Sequence, residues 1–211
     1  MKKLIAIVCV SLLCAGSAWC ADVPQQLEKL TSNAPLFYGK EAVNILGSTD
    51  SEIEELREKK LSKEEAQAVS DFLYKLHQKE LKKNFGSQWG KKVLTMGDLK
   101  MPFDLRIFGE KPEGGRSLFI SMHGGGSAPK ALNDQQWKNQ IILYQPEEGI
   151  YIAPRAPFDD WNMWFRPQMT EFFDRLIQLA VIELDVNPDK VYLMGYSAGG
   201  DGVFRMAPRM A

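Results

Sequence analysis

The spacing of hydrophobic and polar positions changes near residue 92. Upstream of it, apolar side chains recur at the spacing of one helical face: Val69, Phe72, Leu73 and Leu76. Ser62 and Glu65 have the spacing of a capping box, in which two side chains bond to the first amides of a helix. We therefore predict that residues 21–90 form a polar, helical N-terminal extension, whose last helix ends with Gly86 as its cap. This extension either packs on the domain that follows or forms a separate partner-binding module.

Downstream of residue 92, short apolar segments alternate with helical ones. Five segments have the length and composition of strands: Val93–Met96, Phe103–Phe108, Arg116–Met122, Ile150–Ala153 and Val191–Met194. Asn133 or Asp134 can cap one intervening helix, a longer helix follows Pro167, and Asn187-Pro188 is predicted to turn the chain. Strands that alternate with helices indicate an α/β fold with a mostly parallel sheet.

Residues 1–20 have the composition of a secretory signal peptide. Lys2 and Lys3 precede a short apolar run, and small residues follow that run, as in export signals. The run is shorter than the roughly 20 residues that span a membrane. We therefore predict cleavage and a secreted or periplasmic protein without a stable membrane anchor. A lipoprotein signal ending at Cys14 or Cys20 is disfavoured, because a large residue precedes each cysteine.

Composition and charge exclude several classes of function. The net charge is −1, with 26 basic and 27 acidic residues, so neither nucleic acid nor an anionic membrane is an expected partner. All three cysteines lie in the predicted leader, so no internal disulfide is expected after its removal. The sequence contains no metal-ligand cluster, phosphate loop or cofactor fingerprint, and we predict no cofactor.

The fifth predicted strand runs directly into Gly195-Tyr196-Ser197-Ala198-Gly199-Gly200. This is a Gly-x-Ser-x-Gly motif between a strand and a helix, the setting of a nucleophile elbow. Gly195 and Gly199 would permit the tight turn, and the turn would expose the Ser197 hydroxyl above the carboxyl ends of the strands. A second motif, Ser121-Met122-His123-Gly124-Gly125-Gly126, follows the third strand. Its alternative interpretation is a flexible glycine loop or an anion cradle.

With both motifs in this order, residues 91–211 resemble the first half of an α/β-hydrolase of the secreted esterase type, similar to polyhydroxybutyrate-depolymerase-like and prolyl-oligopeptidase-like enzymes. The resemblance implies a serine hydrolase that cleaves a small-molecule or polymeric carboxylic ester through an acyl-enzyme on Ser197. Amides of Ala198 and of Gly124 or Gly125 would form the oxyanion hole. His123 and Gly126 would support the loop.

Other side chains are assigned by the same resemblance or by their position. Trp161 and Trp164 follow the fourth strand, and each could either wall a substrate cleft or pack in the core. Asp201 is interpreted as a helix-start charge that complements the helix dipole, not as a catalytic acid. His77 lies in the polar helical region, where a surface role is more usual than a catalytic one.

The sequence departs from the family pattern after the nucleophile. In this fold the chain order is Ser, then Asp or Glu, then His, and no histidine follows Ser197. We therefore expect a piece of a longer enzyme or an interrupted reading frame, with little or no turnover by this chain. Two alternatives remain open: a serine peptidase of the prolyl-oligopeptidase type, and a non-catalytic, hydrolase-like binding protein.

Overall fold

The computed structural model describes residues 60–210, so the predicted leader and the first part of the predicted helical extension lie outside the described residues. The described residues divide into two units between Lys83 and Asn84. The division falls inside helix α1 (Lys63–Gly90), slightly upstream of the boundary expected after residue 90.

Helix α1 begins at the predicted capping box. The Ser62 amide donates to a Glu65 carboxylate oxygen at 2.7 Å, and the Glu65 amide donates to Ser62 Oγ at 3.2 Å, which confirms the prediction. The prediction that Gly86 ends the helix is wrong, because α1 continues to Gly90. The left-handed turn comes instead at Lys92, which has a φ of 54° and whose amide bonds to the helix end.

Five strands form one mixed sheet in the order β1-β2-β4-β3-β5. Their bounds are β1 (Val93–Met96), β2 (Leu99–Phe108), β3 (Arg116–Met122), β4 (Gly149–Pro154) and β5 (Val186–Gly195). Strand β3 pairs in parallel with β4 and β5, whereas β2 is antiparallel to both of its neighbours. Four strands therefore run one way and β2 the other, which confirms the predicted α/β class.

Strand β5 is longer than predicted. Asn187-Pro188 turns the chain locally, since the Asp189 amide donates to Asn187 Oδ1 at 2.9 Å, but the turn lies within β5 and not before it, because the strand already begins at Val186. The register with β3 shifts between Arg116 and Leu118. This irregularity lies opposite Pro188, which cannot donate a ladder hydrogen bond.

The helices that follow α1 are α2 (Lys130–Leu143), α3 (Pro167–Leu184) and α4 (Ala198–Met210). Ser121 Oγ accepts a hydrogen bond from α2, whereas a Cβ at Gly202 of α4 would lie 2.9 Å from Met122 Sδ. Because successive side chains of a strand point to opposite faces, α2 and α4 cover opposite faces of the sheet. Helix α3 contacts α4 and therefore lies on the same face as α4.

Between these layers lies the core, and every residue of β4 is buried because neighbours flank it on both sides. The largest fully buried side chains are Trp164, Tyr151, Phe172 and Phe173. The predicted cap at Asn133 or Asp134 is wrong, since α2 begins at Lys130 with Pro129 at the N-cap position, and both residues lie inside the helix. Among residues 60–210, no helix has the length and hydrophobicity needed to cross a bilayer.

Candidate active site

The register of the central strands brings the two sequence motifs together. Met122 at the end of β3 pairs with Gly195 at the end of β5, and the Tyr196 amide donates to the Met122 carbonyl at 3.3 Å. The residues that follow each strand therefore leave the sheet side by side. We call residues 123–126 the glycine loop and residues 195–199 the serine turn.

Ser197 occupies an unusual conformation at the tip of the serine turn. Its φ is 53°, in the left-handed region that side chains other than glycine rarely adopt, and the residue is exposed. Such strain costs roughly 1–3 kcal/mol and persists only where the surrounding structure enforces it. The turn thus presents a hydroxyl to solvent at the carboxyl end of the sheet.

The two flanking glycines are required by close backbone contacts. A Cβ at Gly195 would lie 2.2 Å from the Gly199 carbonyl, and a Cβ at Gly199 would lie 2.1 Å from the Met122 carbonyl oxygen. Both distances are far inside van der Waals contact, and the second joins the serine turn to the end of β3. By contrast, a Cβ at Gly200 would meet nothing closer than 3.7 Å.

Helix α4 starts immediately after the nucleophile position. Ala198 is its first residue, and the amides of a first helical turn lack intrahelical partners. The Asp201 amide closes the first turn on the Ser197 carbonyl at 3.2 Å. The Ala198 amide is therefore placed beside Ser197 and at the positive end of the helix dipole.

Gly124 faces the serine turn across a narrow gap. A Cβ at Gly124 would lie 3.3 Å from Ser197 Cβ and 3.2 Å from the Tyr196 carbonyl oxygen. Any larger residue at this position would fill the space in front of the Ser197 side chain. Gly125 and Gly126 have φ values of 103° and 82°, which only glycine adopts without strain.

His123 is a fully buried residue whose ring holds the glycine loop by a hydrogen bond to its backbone. The Ala156 amide donates to His123 Nε2 at 3.2 Å, so Nδ1 carries the proton and donates to the Gly124 carbonyl at 2.6 Å. Burial is the main cause that lowers the His123 pKa to about 4, so the ring is neutral at pH 7. Both ring nitrogens are therefore engaged away from Ser197, as expected of a supporting residue.

The same hydrogen bond orients the peptide between Gly124 and Gly125. In a trans peptide the carbonyl and the amide point in opposite directions. Because the Gly124 carbonyl points at His123, the Gly125 amide points away from His123. The sequence left the oxyanion donor open between the amides of Gly124 and Gly125. This hydrogen bond fixes the direction of the Gly125 amide.

Asn133 was missed as a site residue by sequence reasoning. Its Oδ1 accepts the Gly126 amide at 2.9 Å, and its Nδ2 donates to Asp159 Oδ1 at 2.8 Å. Burial alone would raise the Asp159 pKa, but hydrogen bonds from Arg155 and Asn133 outweigh it and hold that pKa below its usual range. The one signal in the sequence was a polar residue near the start of a helix, which we interpreted as a cap.

The two tryptophans after β4 have different environments. Trp164 is fully buried, donates from Nε1 to the His123 carbonyl at 2.8 Å and packs edge-on against the His123 ring. It therefore belongs to the core, which is one of the two roles that the sequence left open for it. Trp161 is 63% exposed, and its Cα would lie 3.1 Å from a Cβ at Gly126. Only Trp161 borders the glycine loop from the solvent side.

Among the described residues of the unit that contains Ser197, no histidine is free to act as its general base. The chain has two histidines: His123 is engaged as above, and His77 belongs to the other unit. Asp201 is exposed in the first turn of α4. Among residues 60–210, no group of three or more metal-ligating side chains is assembled.

Compared with known proteins, the chain matches no family model, no curated protein and no solved structure.

Proposed function

We propose that this chain carries the nucleophile and oxyanion hole of a serine hydrolase that acts on carboxylic esters. The observation that supports this most directly is the exposed Ser197 at a φ of 53°, facing Gly124 across a gap that no side chain fills. A structural turn serine needs neither the strained conformation nor an adjacent, side-chain-free loop. Strain of this kind clusters at active sites because the rest of the fold must enforce it.

In the proposed reaction, Ser197 Oγ attacks the ester carbonyl carbon, and the carbonyl oxygen becomes an oxyanion. The amides of Ala198 and Gly125 donate to that oxygen, and each donor of this type is worth roughly 3 kcal/mol of barrier. Expulsion of the alcohol leaves an acyl-enzyme, which water then hydrolyses. The Ser197 proton ends on the departing alcohol and passes through solvent, since Ser197 is exposed and both His123 nitrogens are bonded elsewhere.

Trp161 is the residue that we propose for substrate contact. It is exposed beside the glycine loop and packs edge-on against Phe165 at a centroid distance of 5.2 Å. The Phe165 carbonyl accepts a hydrogen bond from Arg209 of α4 at 3.0 Å. An aromatic face held in this way suits the apolar part of an ester, from either its acyl or its alcohol side.

A non-catalytic binding protein is the second candidate. It is favoured by a specific observation: within residues 84–210, the one histidine is buried and fully bonded, and no side chain donates to or accepts from the Ser197 hydroxyl. A serine hydroxyl without a base is a weak nucleophile. A protein of this kind would keep the cleft and the amide donors for ligand binding.

The test is acyl transfer from excess p-nitrophenyl acetate, followed by intact mass and peptide mapping. We expect stoichiometric acetylation of Ser197 and none in Ser197→Ala. Ser127 serves as an internal control, because it is also exposed and has a positive φ of 48°. Acetylation spread equally over both serines would refute the nucleophile assignment. Ser197-dependent binding of phenylboronic acid without acyl transfer would favour the binding protein.

A further inference from the structure

Asn133 occupies the first turn of α2 and is completely buried, which is unusual for an asparagine. Its side chain does not cap its own helix. Instead it reaches back to the glycine loop, where Oδ1 accepts the Gly126 amide at 2.9 Å. A Cβ at Gly125 would lie only 2.1 Å from the same oxygen, so the loop backbone packs directly against the Asn133 side-chain amide.

The Asn133 amide group is itself fixed by further hydrogen bonds from Nδ2, the longest of them 3.5 Å to the Asp159 carbonyl. Its Nδ2 donates to the Ala128 carbonyl at 3.1 Å and to Asp159 Oδ1 at 2.8 Å. Asp159 is held by Arg155 Nη2 at 2.5 Å, and the Arg155 side chain is only 8% exposed. With both donor positions and the acceptor engaged, the side chain has one orientation that satisfies every bond.

Arg155 connects this network to the other end of the loop. Its guanidinium also bonds to Asp134 at 2.9 Å and to the Ala156 carbonyl at 2.7 Å. The Ala156 amide in turn donates to His123, which holds the Gly124 carbonyl. The glycine loop is therefore fixed at its first glycine by His123 and at its last glycine by Asn133.

Between these two attachments lies Gly125, whose amide is the proposed oxyanion donor. Three consecutive glycines have more conformational freedom than any other tripeptide, so their amides would point in many directions without external restraint. An oxyanion hole lowers the barrier only when its donors are already aimed at the developing charge. Restraint at Gly126 is therefore a requirement for the Gly125 amide to act.

We infer that Asn133 is a positioning residue for the oxyanion loop. It fixes the Gly126 end of the loop, as His123 fixes the Gly124 carbonyl, so that the Gly125 amide between them keeps its direction, and it contacts no reacting atom itself. The inference rests on the proposed function, because the loop needs this precision only if Ser197 undergoes acyl transfer. Misplacing such a donor by about 1 Å reduces the rate by about 100-fold.

The experiment compares Asn133→Ala with Gln140→Ala in the full chain. Gln140 is a matched control, because it is a buried amide on the same helix whose Nε2 donates to Ser121 Oγ at 2.7 Å, outside the loop. Acetylation of Ser197 is measured over a range of p-nitrophenyl acetate concentrations. We expect the limiting rate to fall about 10- to 100-fold in Asn133→Ala, with unchanged half-saturation, and to stay at the wild-type value in Gln140→Ala.

A purely structural role would lower the reacting fraction in both variants without changing the limiting rate, and that result would overturn the inference. The double variant Asn133→Asp with Asp159→Asn provides a second variant, because it keeps the acceptor for the Gly126 amide without placing two carboxylates 2.8 Å apart. We expect it to react faster than Asn133→Ala, and an equally low rate in both would also overturn the inference.

Hydrogen exchange at the Gly126 amide separates this inference from the proposed function. If the wild-type chain does not acylate Ser197, the proposed function fails. Exchange still reports on the loop, and we expect it to accelerate at least 10-fold in Asn133→Ala and to be unchanged in Gln140→Ala. Unaltered exchange at Gly126 in Asn133→Ala would show that Asn133 does not hold the loop.

Discussion

Lowering the pH from 7 to 5 should destabilise the folded chain through His123. Its pKa is about 4 in the folded protein, mainly because burial disfavours the charged ring, against an ordinary value of 6.5. Below pH 6.5 the unfolded chain therefore binds a proton that the folded chain does not bind. The free energy of unfolding falls as the pH drops from 6.5 towards 4 and levels off below that value.

The magnitude follows from the two pKa values. Each unit of difference corresponds to about 1.4 kcal/mol, so full protonation of the unfolded chain would cost about 3 kcal/mol. Between pH 7 and pH 5 the expected loss is about 2 kcal/mol. Arg155, Asp159 and Asp134 are the charges that act on the ring, and the pKa values of both carboxyls are lowered. The carboxyls therefore stay ionised throughout this interval.

The assay uses His77→Gln, in which His123 is the only histidine left. His77 has to be removed because burial lowers its pKa as well, which adds a loss of the same sign. Urea unfolding at several values between pH 5 and pH 7 gives the free energy of unfolding. A proton NMR titration of the His123 ring gives its pKa directly, and we expect no titration above pH 5.

A His123 ring that titrates near pH 6.5 would refute the assignment of His123 as a buried, neutral residue. A free energy of unfolding that is constant between pH 7 and pH 5 in His77→Gln would refute it equally. Either result would mean that the ring is accessible to protonation in the folded state. His123 would then be a candidate base and not a neutral support of the loop.

Three further pairs of substitutions, each a variant with its control, test the packing by urea unfolding. Gly199→Ala should lower the free energy of unfolding by about 2–4 kcal/mol, because its Cβ would lie 2.1 Å from the Met122 carbonyl oxygen. Its control, Gly200→Ala, should be neutral or stabilising. Equal changes in both variants would contradict the close approach of Gly199 to β3. Trp164→Ala should lower the free energy of unfolding by about 3–5 kcal/mol, because Trp164 is fully buried, and Trp161→Ala by less than about 1 kcal/mol. Only Trp161→Ala should weaken the binding of phenylboronic acid. Arg155→Met should cost about 2–3 kcal/mol, because the Ala156 and Phe158 carbonyls lose their hydrogen bonds to the buried guanidinium. Breaking the exposed Lys111–Asp185 pair with Lys111→Ala should cost at most about 0.5 kcal/mol.

Much of the fold could be predicted from local patterns. β1 and β3 have the predicted bounds, and α4 begins at Ala198 as expected, because each is specified by the residues within it. The capping box at Ser62 and Glu65 is likewise a contact between residues three positions apart. Where the prediction failed, at Gly86 and Asn133, the residue type was compatible with an end of a helix as well as with its interior. A glycine or asparagine alone does not distinguish these positions.

The candidate site was only partly predictable for a related reason. The sequence determined that Ser197 follows a strand and precedes a helix, and that a glycine loop follows another strand. Tertiary structure decided that the two are neighbours, because the pairing of Met122 with Gly195 depends on the register between β3 and β5. It also decided that Trp164 is buried and that Asn133 holds Gly126. These contacts join residues that are distant along the chain or belong to different elements, and no pattern within one segment encodes them.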